Sequence, residues 1–234
     1  MKKYLFILTG IFLVSISTIS LSQEKIKENP YNLELVSTIE EYKQEVKKDS
    51  NNALVDLEEY IPGIVLDIRY ATTNNFTGQK LYNIPKAYAR KPVADSLLKI
   101  QYELNKKGLG LKIFDSYRPY AVTLKFYRIY KDINFVAAPW KGSLHNTGAA
   151  VDLTLVDIKS GKELQMPTGF DDFTVKASHE YMDLPADVIG NRKTLKDIMR
   201  KYGFYSYSKE WWHYSYKYSR NFSFLNLDFE ELEE

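Results

Sequence analysis

Cysteine is absent from all 234 residues, which removes disulfides, thiolate metal sites and cysteine nucleophiles together. Histidine is nearly absent, at 3, so any metal centre has to be assembled from imidazole and carboxylate. An excess of charge of one sign is missing as well. Lys and Arg number 32 against 30 Asp and Glu, and two of the lysines, Lys2 and Lys3, sit at the extreme N-terminus. No basic arm or stripe remains to grip a polyanion, and nucleic acid is excluded as an expected partner.

What is present is a core-forming composition, 44% hydrophobic and 15% aromatic with 19 Tyr, which suits one packed domain and not a disordered chain. The N-terminus has the layout of a secretory signal over residues 1–22. Lys2 and Lys3 precede the apolar run Tyr4 to Val14, and the small residues Ser20 and Ser22 stand before Gln23. Export to the periplasm or cell envelope is expected, with no stable membrane insertion after cleavage. An uncleaved anchor is the alternative, because Tyr4 to Leu21 carries no charge.

Residues 23–56 are polar and read as a linker with an accessory helix, capped by Ser37-Thr38 ahead of Glu40-Glu41 and running to about Lys48. The domain is expected over residues 57–234. Ile64 to Tyr70 reads as a strand. Val93, Leu97, Ile100 and Leu104 have helical spacing that stops at Gly108, and Leu111 to Phe114 reads as a strand. A helix is predicted from Tyr120 to about Lys131. Val151, Leu153 and Leu155 alternate with Asp152 and Thr154 as in a strand with one buried face. A helix is predicted over Thr194 to Tyr202, and the aromatic stretch Phe204 to Tyr218 reads as mostly strand. Helices and strands mix without regular alternation, so the class is α+β.

Three stretches carry chemistry. In the first, His145 is followed by small residues and then by Asp152; both side chains suit Zn²⁺, and both are also ordinary in a surface loop and a solvent-facing strand. The second is Glu210-Trp211-Trp212-His213, where a carboxylate and an imidazole lie in an aromatic context. In a regular strand positions 210 and 213 face opposite sides, so joint service in one site requires the chain to bend there. Together these give two His and one Asp for the metal, an open fourth position, and Glu210 as general base. In the third, Arg118 before Pro119 is placed either to stabilise an oxyanion or carboxylate or to form a structural ion pair.

The motifs Ser143-x-His145-x2-Gly148-x-Ala150-x-Asp152, Asp115-x-Tyr117-Arg118-Pro119 and Glu210-Trp211-Trp212-His213 resemble, in order, those of the zinc D-alanyl-D-alanine dipeptidase family. Tyr70-Ala71-Thr72 and Asn75-Phe76-Thr77-Gly78 add to the likeness, which spans about residues 60–218. The resemblance implies a compact α+β zinc scaffold shared with D,D-carboxypeptidases and the hedgehog signalling domain. It implies one zinc ion held by His145, Asp152 and His213, with Glu210 and Arg118 catalytic. It also implies a small-dipeptide pocket lined by Tyr70, Ser143 and Asp171, where neighbouring Asp172 allows a one-residue slip. Hydrolysis of D-Ala-D-Ala in cell-wall peptide turnover is the implied function. A carboxypeptidase or endopeptidase acting on peptidoglycan stem peptides, and a binding module that has lost catalysis, are the alternatives. His179 matches no ligand position and is read as structural or exposed.

Overall fold

The computed structural model describes residues 27–233, and the signal segment expected at 1–22 lies outside the described residues. Its elements begin with β1 Leu35–Val36, α1 Ile39–Lys48, β2 Leu54–Asp56, α2 Leu57–Tyr60, β3 Val65–Leu66, β4 Tyr88–Arg90 and α3 Lys91–Asn105. They continue with β5 Leu109–Asp115, α4 Tyr120–Ile129, β6 Ala150–Asp157, α5 Ala186–Lys201, β7 Phe204–Ser206, β8 His213–Tyr216, β9 Phe224–Leu225 and α6 Phe229–Leu232. Among the described residues no helix is long and apolar enough to cross a membrane.

The frame is a mixed five-stranded sheet in the order β3-β5-β6-β8-β7, parallel only between β3 and β5. This is the α+β class, with the helices packed around one sheet. β6 is the middle strand, and every residue from Ala150 through Val156 is buried. The single buried face expected from its alternation is therefore corrected to two: Thr154 and Val156 are as enclosed as Leu153 and Leu155. A central strand covered on both sides reads as apolar nearly throughout.

α3 buries the predicted stripe Val93, Leu97, Ile100 and Leu104, with Pro92 in its first turn where a missing N–H costs nothing. α5 begins eight residues earlier than expected, directly after Pro185, because the polar run Gly190 to Lys193 hides a turn whose Arg192 is buried. The strand expected from Ile64 to Tyr70 is bonded only at β3, and the chain then winds through a 3-10 turn at Arg69–Ala71. Phe204 to Tyr218 is two short antiparallel strands joined by turns rather than mostly strand.

The accessory helix is present as α1. Thr38 Oγ1 accepts from Glu41 N, and the Glu41 carboxylate accepts from the Thr38 amide. Its surroundings are not a free linker, and the boundary at Leu57 is not a break in packing. β1 pairs in parallel with β9, β2 pairs antiparallel with β4, and Leu54 N donates to Tyr42 Oη at 2.6 Å. Sequence polarity concealed this because short strands of two and three residues carry little apolar pattern.

Candidate active site

The register of the sheet assembles the site. Asp115 of β5 stands opposite Asp152 of β6, and Asp152 stands opposite His213 of β8. Directly paired residues on adjacent strands project from the same face, so three polar side chains meet at one end of the sheet. A register irregularity between Ile113 and Asp115 brings Asp115 into this row.

His145 comes from outside the sheet, on a 3-10 turn spanning Leu144–Thr147. Ser143 caps that turn: its Oγ accepts from His145 N at 3.3 Å, while its own amide donates to Asn146 Oδ1 at 2.7 Å. Gly148 closes the turn at φ 73°, where a Cβ would come within 2.6 Å of Leu54, so only glycine fits. The turn is laced to the loop before α4. Arg118 N donates to the His145 carbonyl at 3.1 Å, and Asn146 Nδ2 donates to the Arg118 carbonyl at 2.8 Å.

The imidazole orientations follow from their second nitrogens. His145 Nδ1 donates to the Ser116 carbonyl at 2.7 Å, which leaves the Nε2 lone pair facing the row. His213 has Nε2 3.1 Å from Ser215 Oγ and turns Nδ1 inward. The inward donors are His145 Nε2, His213 Nδ1 and Asp152 Oδ1, and their separations are 3.1, 3.4 and 3.0 Å. Ligand atoms at the corners of a tetrahedron around a zinc ion at 2.0–2.2 Å stand about 3.3 Å apart. The three residues form a group able to bind a metal ion, and the donor set suits it.

Charge is balanced within the site. Burial pushes the Asp152 carboxyl up, but His145 and His213 outweigh it and hold it well below the usual carboxylate range. Burial pulls the His213 imidazole down, and Asp152 reverses that to leave it raised. Asp115, fully enclosed, is raised by burial against the opposing pull of Arg118. Arg118 donates to Asp115 Oδ2 through Nε at 2.9 Å and Nη2 at 2.7 Å, and Tyr82 Oη donates to Asp115 Oδ1 at 2.8 Å. Arg118 is thus ion-paired, and it also faces the cavity over the Phe126 ring at 4.5 Å. Its Nη1 makes no hydrogen bond among the described residues.

The bend that Glu210 and His213 require is present. His213 N donates to the Glu210 carbonyl at 3.3 Å, so β8 starts only at His213 and both side chains reach one cavity. The Glu210 carboxylate has no hydrogen-bond partner among the described residues. Burial against Trp212 and its neighbours raises it to about 8, with His213 opposing. Asp171 sits in the left-handed region at φ 62°, accepting from Tyr70 Oη at 3.0 Å and from Phe76 N at 3.1 Å. Burial raises it to about 7. Asp172 instead accepts from Thr174 N, so it is Asp171 that lines the cavity.

The metal, catalytic and pocket residues expected from the sequence (Tyr70, Arg118, Ser143, His145, Asp152, Asp171, Glu210 and His213) line this one cavity of about 250 Å³. His179 lies apart, buried, with neither ring nitrogen bonded among the described residues. Sequence reasoning gave no role to Asp115 beyond its place in a motif, nor to the walls Phe126, Phe173 and Tyr207. The high tyrosine and phenylalanine content was the only signal for those walls.

Comparison with known proteins gives the family of the chain. The family model described as D-ala-D-ala dipeptidase, of the M15 peptidases, matches residues 50–226. The D-alanyl-D-alanine dipeptidase of Escherichia coli K12 is 31% identical over 172 residues, covering 74% of this chain and 89% of its own. That of Enterococcus faecium is 32% identical over 178 residues, covering 68% and 88%. Among solved structures, the LdcB LD-carboxypeptidase overlaps 77% of this chain and 76% of its own at 24% identity with a TM-score of 0.41, too slight a likeness to carry an argument about substrate. With three quarters of its length matched by the family model, the chain belongs to the D-ala-D-ala dipeptidase family of peptidases.

Proposed function

We propose that this protein is a zinc peptidase that hydrolyses D-Ala-D-Ala to two D-alanines outside the cytoplasm. The observation that carries the reading is the set of three donor atoms 3.0 to 3.4 Å apart beside an unbonded, buried carboxylate. His145, Asp152 and His213 would hold the ion. Zinc, when bound, supplies Lewis acidity, lowering the pKa of a coordinated water to about 7 and polarising a carbonyl.

The remaining chemistry belongs to the chain. Glu210, raised by burial, takes a proton from the attacking water and returns it to the amine as the peptide C–N bond breaks. The Arg118 guanidinium, fixed by Asp115, offers Nη1 to the oxygen on which charge develops. Asp171, with Tyr70, is the cavity's carboxylate for a substrate ammonium group, and Ser143 also lines the cavity. A cavity of about 250 Å³ falls below the roughly 300–1,000 Å³ of sites for drug-sized ligands, which favours a dipeptide.

Purified zinc-loaded protein is expected to release D-alanine from D-Ala-D-Ala, and Glu210→Ala to lose about 10²–10⁴-fold of that rate while keeping its zinc. Equal rates in the variant remove Glu210 from this role. A clear preference for a pentapeptide ending in D-Ala-D-Ala moves the substrate to stem peptides, and capture without turnover makes the protein a binding module. The export reading rests on Lys2, Lys3 and the apolar run to Val14, and it predicts a mature N-terminus at Gln23 in mass spectra of the envelope fraction.

A further inference from the structure

Arg90 carries a charge that the reaction does not use. It ends β4, is completely buried, and has no carboxylate within salt-bridge distance among the described residues. Its nitrogens reach three backbone carbonyls in three separate stretches. Nε donates to Thr147 O at 2.7 Å, Nη2 to Ser223 O at 3.1 Å, and Nη1 to Asn52 O. Its own amide donates to Gly148 O at 2.9 Å. Thr147 ends the turn that carries His145, and Gly148 caps it. The Phe222 ring lies 5.2 Å from the guanidinium, and Ser223 Oγ donates to Glu45 Oε1 at 2.6 Å. That bond brings a carboxylate from α1 into the neighbourhood.

Burying a guanidinium against carbonyls alone is costly, yet it supplies several directed donors in one rigid plane, which an ammonium does not. We propose that Arg90 is a positioning residue for the metal centre: it pins the turn Leu144–Thr147 from behind, so that His145 presents Nε2 to Asp152 and His213. Through the same guanidinium, the stretch before residue 57 and the approach to β9 become parts of the frame of the site. This rests on the zinc reading above.

The test compares wild type with Arg90→Lys, which keeps the charge and loses the fork, and with Glu45→Gln, which keeps the bond to Ser223 and loses the charge. Zinc affinity is read by chelator competition. In metal-free protein, NMR reads solvent exchange of the His145 Nδ1 proton that is bonded to Ser116. Arg90→Lys is expected to weaken zinc about tenfold, as loss of an outer-shell partner does, and to speed that exchange while β6 amides stay protected. Glu45→Gln shifts both in the same direction by less. Wild-type zinc affinity and an unchanged His145 proton in Arg90→Lys, with only a lower melting temperature, would overturn the proposal. If wild type itself binds no zinc, the metal reading fails, and the exchange comparison still decides the role of Arg90.

Discussion

The three histidines occupy two contrasting environments. His145 and His213 stand at the end of the sheet, where each ring nitrogen meets a carbonyl, a hydroxyl, a carboxylate or the other ring. His179 is buried beside Tyr214, at 6.1 Å between ring centroids, and His179 Nδ1, His179 Nε2 and Tyr214 Oη have no partner among the described residues. Burial acts on His213 and on His179 in the same sense, against charge. Around His213 it is outweighed by Asp152 and the imidazole is raised; around His179 it goes unopposed and lowers the imidazole to about 3. Burial alone therefore does not mark a site; burial with partners that converge does.

The sharpest way to break this contrast is by deletion. His145→Ala is expected to abolish zinc binding and dipeptide hydrolysis together, measured by metal analysis and D-alanine release. His179→Leu is expected to leave both within about twofold, because surface and core changes away from the chemistry act on stability. A large loss of turnover in His179→Leu without loss of folding would join the two regions into one.

A second test separates function from stability inside the site. Glu210 is raised from 4.5 to about 8 in the fold. Below pH 4.5 the group is neutral in both states. As pH rises the unfolded chain releases its proton first, so native stability falls until about pH 8. In metal-free protein, Glu210→Gln is expected to be the more stable form above pH 8 by on the order of a few kcal/mol, by urea unfolding. A bound divalent cation favours the carboxylate, so the gain should shrink with zinc. No gain in the metal-free protein would mean that the carboxylate is better solvated than its burial implies.

How much of this was legible depended on the range of the interactions. The donors His145, Asp152 and His213 were legible because a chain with 3 histidines and no cysteine has few ways to build a metal site. The helix stripe of α3 was legible because its spacing is local. Asp115 was not, since its part depends on a β5–β6 register with an irregularity and on Tyr82, 33 residues away. The pairing of β1 with β9 was not either, because it joins positions nearly 190 residues apart through two residues each. The bend at Glu210 was legible only as a requirement: two residues three apart had to serve one cavity.

A smaller effect follows from the unpartnered imidazole. The His179 ring titrates near 6.5 in the unfolded chain and near 3 in the fold. Between those values the unfolded state holds the extra proton, so stability present above pH 6.5 is lost as pH falls. The loss is about 1.4 kcal/mol per pH unit at most. His179→Leu should remove this contribution between pH 6.5 and 4.5, above the range where Asp152, lowered in the fold, begins to contribute its own acid loss. It is read as the difference between the two profiles, because Glu210 and Asp171 slope the other way in both. An unchanged slope would show that His179 is already paired in solution.

The last effect is also the most local. Tyr82 and Tyr214 are both buried tyrosines, but the Tyr82 hydroxyl donates to the Asp115 carboxylate at 2.8 Å and the Tyr214 hydroxyl finds no acceptor among the described residues. Removing a hydroxyl bonded to a charged group costs about 1.5–3 kcal/mol, and the Asp115 carboxylate left short of a donor adds to it. Removing an unbonded buried hydroxyl deletes a group that was desolvated without return. Tyr82→Phe is therefore expected to destabilise by that range, while Tyr214→Phe changes stability by less than about 1 kcal/mol in either direction. Thermal unfolding of the two variants at one pH reads the difference directly. Equal costs would mean that a buried hydroxyl bonded to Asp115 contributes no more than an unbonded one, and the contrast between the histidines would lose its physical basis.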